Sequence, residues 1–171
     1  MDLRDIKEFL KDALKYIIAI AVILIFAIYV VSFQEVIGPS MNNTLKSGDI
    51  TVVNKLVFRL RNIKRNEIVS LKKDDKIMVK RIIGLPGEHI EYKDNILYVD
   101  GKKISDSRSS STKDFKLESI GYDTIPKDMY LVLGDNRTNS SDSRTFGLVK
   151  KSDIIGKVNI RIYPFNKIKI F

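Results

Sequence analysis

Residues 16–33, YIIAIAVILIFAIYVVSF, run for 18 positions without a charged side chain. At about 1.5 Å per residue such a run makes a helix of roughly 27 Å, close to a hydrocarbon core of about 30 Å. A core helix of a globular domain keeps a polar face, and this run has none. It is also longer than the apolar stretch of a signal peptide, usually ~7–15 residues. The residues at its end, Ser32-Phe33-Gln34-Glu35-Val36, do not form a small-x-small cleavage site. The sequence therefore predicts an uncleaved membrane anchor. Lys15 can snorkel at one end, and Tyr16 and Tyr29 can reach opposite interfaces.

Flanking charge sets the orientation. Arg4, Lys7, Lys11 and Lys15 precede the span, and no Lys or Arg follows until Lys46. This bias predicts a cytoplasmic N-terminal segment, 1–15, one anchor, 16–33, and an extracytoplasmic domain, 34–171. Leu3, Ile6, Leu10, Ala13 and Leu14 share one helical face, which suits a segment lying along the membrane. The net charge of +9 resides in the outer domain, because residues 1–15 carry four basic and four acidic groups. A basic surface on that side suits anionic lipid headgroups, with no aromatic–basic interleaving to suggest nucleic acid.

Beyond residue 34 the chain reads as mainly β. Short Val- and Ile-rich runs recur at 50–53, 67–71, 76–83, 96–99, 129–133 and 157–163, separated by turn signals. Asp100-Gly101 is a two-residue hairpin turn. No long amphipathic helix follows the anchor. The Ser-rich stretch 105–114 reads as a mobile loop.

Three segments interrupt this pattern with unusual polar groups. Gly38-Pro39-Ser40-Met41-Asn42-Asn43 is a turn that can present the Ser40 hydroxyl. In a strand, Lys80 shares a face with Met78 and Ile82, and Arg81 shares the other with Val79 and Ile83. A Lys among apolar neighbours is desolvated. Burial lowers its pKa of about 10.4 by about 3–5, enough to make it a general base, whereas an edge-strand Lys simply snorkels. The third segment, Gly134-Asp135-Asn136-Arg137-Thr138-Asn139-Ser140-Ser141-Asp142-Ser143-Arg144, follows an apolar strand and reads as a dense polar network. With no Cys, thiol nucleophiles, disulfides and thiolate metal sites are excluded. The lone His89 leaves one candidate for a Ser-His-Asp triad and reads as structural.

In this order the segments resemble the type I signal peptidase family, in its short single-anchor Gram-positive form. The resemblance rests on the Ser40-Met41 turn, Gly48-Asp49, Lys80-Arg81 with Gly84-x-Pro86-Gly87, GDNRTNSSDSR at 134–144, and the ending Gly156-Lys157 through Tyr163-Pro164-Phe165. It implies Ser40 as nucleophile, Lys80 as general base and Ser140 as the hydroxyl orienting that lysine. It also implies Asp142 and Arg144 as a supporting charged pair, with Asp135 as a buttress. The implied fold is an antiparallel β catalytic domain with a small inserted β region, about 93–125. The implied substrates are exported preproteins cut after a small-x-small sequence, and the implied chemistry uses no metal or cofactor. Val36, Met41 and Met78 are the expected lining of the substrate pocket. Asn43 stands where the family usually has Pro, and Thr138 where an Asp often follows GDNR. Gly38 stands where some Gram-negative relatives place an oxyanion-donating serine. Two other readings fit fewer residues: a self-cleaving Ser/Lys protease of the phage-repressor type, and a non-enzymatic membrane-anchored scaffold.

Overall fold

The computed structural model of the chain describes residues 2–106 and 111–171. Its first element is α1, Leu3–Val30, opened by a capping box in which the Asp2 amide donates to Asp5. None of its residues is buried against the rest of the chain, and it alone among the described helices is long and apolar enough to cross a membrane. The helix ends three residues before the apolar run does. Val31–Phe33 instead enter strand β1, Val31–Glu35, which pairs antiparallel with β2, Ile50–Asn54. That pairing satisfies the backbone groups that the helix would otherwise have carried further. The helix therefore runs directly into the sheet. The Lys55 amide and ammonium clasp its last turn through the carbonyls of Val30 and Ile28.

After a short turn, α2, Val57–Leu60, come β3, Ile68–Lys73, and β4, Lys76–Gly84. A hairpin region follows with β5, Ile90–Lys93, β6, Ile96–Val99, β7, Lys102–Ile104, and β8, Phe115–Lys116. The chain then returns through β9, Met129–Leu133, α3, Ser143–Phe146, β10, Val149–Lys150, β11, Ile154–Tyr163, and β12, Lys169–Ile170. Among the described residues, the larger sheet has the order β1-β2-β11-β3-β4-β9-β10, with β12 added to β11. The smaller sheet is β7-β6-β5-β8, and the pairings in both are antiparallel. The fold class is thus the mainly β architecture expected. Asp100 and Gly101 turn β6 into β7 with φ of 50° and 74°, the left-handed values a tight hairpin requires.

The short flanking strands were not legible as periodic runs, because two or three residues carry no pattern. The Ser-rich stretch 105–114, expected as a mobile loop, is described only in part. Residues 107–110 lie outside the described residues, but Asp106 and Thr112 are packed and hydrogen-bonded.

The two sheets meet in one apolar cluster. Ile83, Leu131 and Leu133 of the larger sheet pack with Ile90, Tyr92, Leu97 and Phe115 of the smaller. Gly84 lies at this junction, where a Cβ would overlap Ile125. A second cluster, with Val36, Met41, Leu45 and Val53, fills the other side of the larger sheet's beginning.

Candidate active site

Lys80 lies on β4, which is paired on both sides, with β3 and β9. It is therefore an interior-strand residue and only 3% exposed, so the snorkelling alternative fails. Met78 and Ile82, its alternate neighbours, belong to or pack against one buried cluster. The Lys80 ammonium donates to Ser40 Oγ at 2.7 Å. Burial pushes the Lys80 pKa down to about 8, because the charged form loses its water. The Asp142 carboxylate opposes that shift and the Arg144 guanidinium adds to it, so their fields partly cancel.

Ser40 sits in the turn after β1. The Asn42 amide donates to the Pro39 carbonyl, and the amides of Thr44 and Leu45 donate to Met41. Asn43 has φ of 85°, a value closed to the Pro expected from the family, so this turn takes its shape from the asparagine. Met41 and Leu45 anchor the turn in the core, each fully buried.

The loop after β9 braces that turn. The Asn136 amide donates to the Ser40 carbonyl at 3.0 Å, and the Asn136 side chain donates to Pro39. Gly134 makes the approach possible, since a Cβ there would overlap the Ser40 carbonyl and Ser140 Oγ. Asp142 caps α3, accepts the Gly134 amide at 3.0 Å, and receives Arg144 Nε and Nη2 at 2.8 and 2.7 Å. Arg144 also donates to the Arg137 carbonyl. Asp142 and Arg144 thus form the expected charged pair and fold the loop back on itself.

Asp135 accepts Arg81 Nε at 2.8 Å and Nη2 at 2.5 Å, and Thr44 Oγ1 donates to it at 2.5 Å. Both ion partners are buried. Arg81 was read only as part of the Lys80-Arg81 motif, on the strand's second face, and its pairing with Asp135 was not; Thr44 carried no signal of its own.

Two expectations need correction. Ser140 Oγ is buried beside Gly134 yet makes no hydrogen bond among the described residues, so the expected bond to Lys80 is not formed in this structure. The proposed pocket lining is not assembled either. Val36 and Met41 lie inside one core cluster, Met41 with no exposed surface, while Met78 packs against another. Alternation along a strand could not tell pocket from core. His89 bonds the Asp123 carbonyl and faces Glu118 at 3.9 Å, on the smaller sheet's side of the molecule.

A serine-bearing turn against an interior lysine, on an antiparallel β scaffold behind an apolar helix, fits a class of serine hydrolase. Comparison with known proteins narrows it. The model of the family "Signal peptidase, peptidase S26" matches residues 7–163. Signal peptidase I of Bacillus caldolyticus is 41% identical over 166 residues, covering 89% of this chain and 90% of that protein. Signal peptidase IB of Staphylococcus aureus is 36% identical over 181 aligned positions, covering 93% of this chain and 94% of that protein. The crystal structure of a signal peptidase I from Enterococcus faecalis V583 matches with a TM-score of 0.54 and 36% identity. It covers 58% of this chain and 98% of that one. The chain belongs to the signal peptidase family, peptidase S26, and is a serine endopeptidase.

Proposed function

We propose that the chain removes N-terminal signal peptides from exported preproteins, cutting after a small-x-small sequence such as Ala-x-Ala, with Ser40 as nucleophile and Lys80 as general base. The observation that carries this reading is the 2.7 Å contact between the Ser40 hydroxyl and a lysine nitrogen buried in an interior strand. A lysine pKa of about 8 leaves about a tenth of the side chains neutral at pH 7, against roughly one in 2,500 for a free lysine.

Neutral Lys80 takes the Ser40 proton as Oγ attacks the scissile carbonyl carbon. The carbonyl oxygen gains the negative charge. Among the described residues the Ser40 amide donates to no protein acceptor, so it is free to meet that oxyanion. Gly38 supplies no side-chain donor. The C–N bond then breaks, and Lys80 returns its proton to the leaving amine. Water then loses a proton to Lys80 and attacks the Ser40 ester; the bond from Ser40 Oγ to the acyl carbon breaks, Lys80 returns the proton to Oγ, and the signal peptide leaves with its new carboxyl terminus. Asp142 and Arg144 hold the loop that faces the dyad, and Asp135 with Arg81 holds the adjoining strand end.

In this reading α1 is the membrane anchor, with the N-terminal segment cytoplasmic and residues 34–171 outside, where the basic domain meets anionic headgroups. The test is a preprotein with an Ala-x-Ala site. The wild-type chain in membranes should cleave it and Ser40→Ala should not. Retained cleavage by Ser40→Ala would overturn the dyad.

A further inference from the structure

Arg137 joins the 134–144 loop to residues outside the larger sheet. Its side chain has no exposed surface. Nη1, with two N–H groups to donate, lies within hydrogen-bond distance of Tyr92 Oη at 2.9 Å, Asp106 Oδ2 at 2.5 Å and Thr112 Oγ1 at 2.9 Å, all three outside the larger sheet. Tyr92 Oη donates in turn to Asp106 at 2.7 Å. On its other edge, Arg137 Nε donates back to the Gly134 carbonyl at 3.0 Å.

Gly134 and Asn136 are the residues that press on the Ser40 turn. A continuous path therefore runs from Tyr92, Asp106 and Thr112 through Arg137 to Gly134 and Asn136, and from there to the Pro39 and Ser40 carbonyls. Arg137 Nη2 is buried with no hydrogen-bond partner among the described residues. A buried ion kept with a donor unpaired is a poor device for stability alone, since an apolar replacement of both partners is often neutral. It is a good device for fixing one loop geometry, because a guanidinium bonds in directions set by its plane.

We propose that Arg137 is a positioning residue for Ser40. It docks the 134–139 loop on the smaller sheet, and that docking holds the nucleophile's backbone in its reactive place. The inference rests on the reading of Ser40 as nucleophile, and it gives the smaller sheet a part in the chemistry that it does not touch. Small displacements at a reacting centre carry large rate effects, so the consequence belongs in kcat.

The experiment measures kcat and KM on an Ala-x-Ala preprotein for the full-length chain in membranes and for Arg137→Lys, Asp106→Asn, Tyr92→Phe and Val99→Ala. Hydrogen exchange of the 134–139 amides is followed in parallel. Arg137→Lys should lower kcat about tenfold or more with KM within twofold, and Asp106→Asn and Tyr92→Phe should lower it by smaller factors. All three should speed exchange at Asn136. Val99→Ala loosens the smaller sheet's core without touching Arg137, and should lower melting temperature while leaving kcat within twofold. Equal kcat losses in Val99→Ala and Arg137→Lys at matched melting temperatures would overturn the proposal, as would unchanged kcat in the three network variants. If Arg137→Lys does not fold, Tyr92→Phe and Asp106→Asn decide alone. Ser40→Ala separates the two readings: activity in Ser40→Ala removes the nucleophile assignment, whereas an inactive Ser40→Ala with unaffected network variants removes only this inference.

Discussion

The Lys80 nitrogen lies 2.7 Å from the Ser40 hydroxyl although the residues are 40 positions apart in the chain. The turn that carries Ser40 and the interior strand that carries Lys80 meet because both are pinned by core residues, Met41 and Leu45 on one side and Ile82 on the other. With the lysine pKa pushed down to about 8 by burial, the proposed base gains activity as protons leave it. The cleavage rate should rise through about pH 8 and level off above it. A rate that is flat from pH 6 to 9, with chemistry limiting, would contradict this.

Stability should move in the same direction. The unfolded chain holds the Lys80 proton up to the ordinary lysine value of 10.5, and the folded chain releases it near 8. The unfolded state therefore binds more protons between about pH 8 and 10.5, and this lysine's contribution to stability rises with pH across that window. Below it, the folded state carries a penalty of up to ~3 kcal/mol. Lys80→Met should abolish cleavage, stabilise the chain at pH 7, and flatten that part of the pH profile. Chemical denaturation at several pH values measures it.

Asp135→Ala should be strongly destabilising. It strands the Arg81 guanidinium inside the protein and leaves Thr44 without its acceptor. Breaking a buried pair from one side costs roughly 3–5 kcal/mol. Urea midpoints should show a loss of that size, far above the change for Lys72→Ala, whose partner Asp75 is fully in water.

Gly134→Ala tests the close approach of the loop to the Ser40 turn. The added methyl group must push the Ser40 carbonyl or Ser140 away. A displacement of about 1 Å at a reacting group costs on the order of 100-fold in rate. Circular dichroism should stay close to wild type while kcat falls by about that factor. A normal kcat would mean that the loop yields without moving the nucleophile.

Ser140→Ala separates resting geometry from function. The hydroxyl is buried and has no hydrogen-bond partner among the described residues, so its removal should leave stability unchanged or slightly raised. Cleavage should nonetheless fall substantially, without vanishing, if the hydroxyl orients Lys80 during the reaction. Full activity in Ser140→Ala would leave Ser140 with a packing role only.

The sequence by itself determined the parts of this protein whose information is local. An uncharged run of 18 residues needs no tertiary context to be read as a span, and Val- and Ile-rich runs of five or more residues declared the long strands. The ordered motifs around Ser40, Lys80 and 134–144 carried the family, from which the Ser/Lys chemistry is proposed. Only the tertiary structure decided where the helix stops, because Val31–Phe33 continue the apolar run and it is pairing with β2 that makes them a strand. It also decided which apolar residues are core: Met41 and Met78 have the same composition signal but lie in different clusters. Long-range polar pairs were the least legible of all. Arg81 with Asp135 and Arg137 with Asp106 join residues 54 and 31 positions apart, and no local period records a contact made between segments so far apart in the chain.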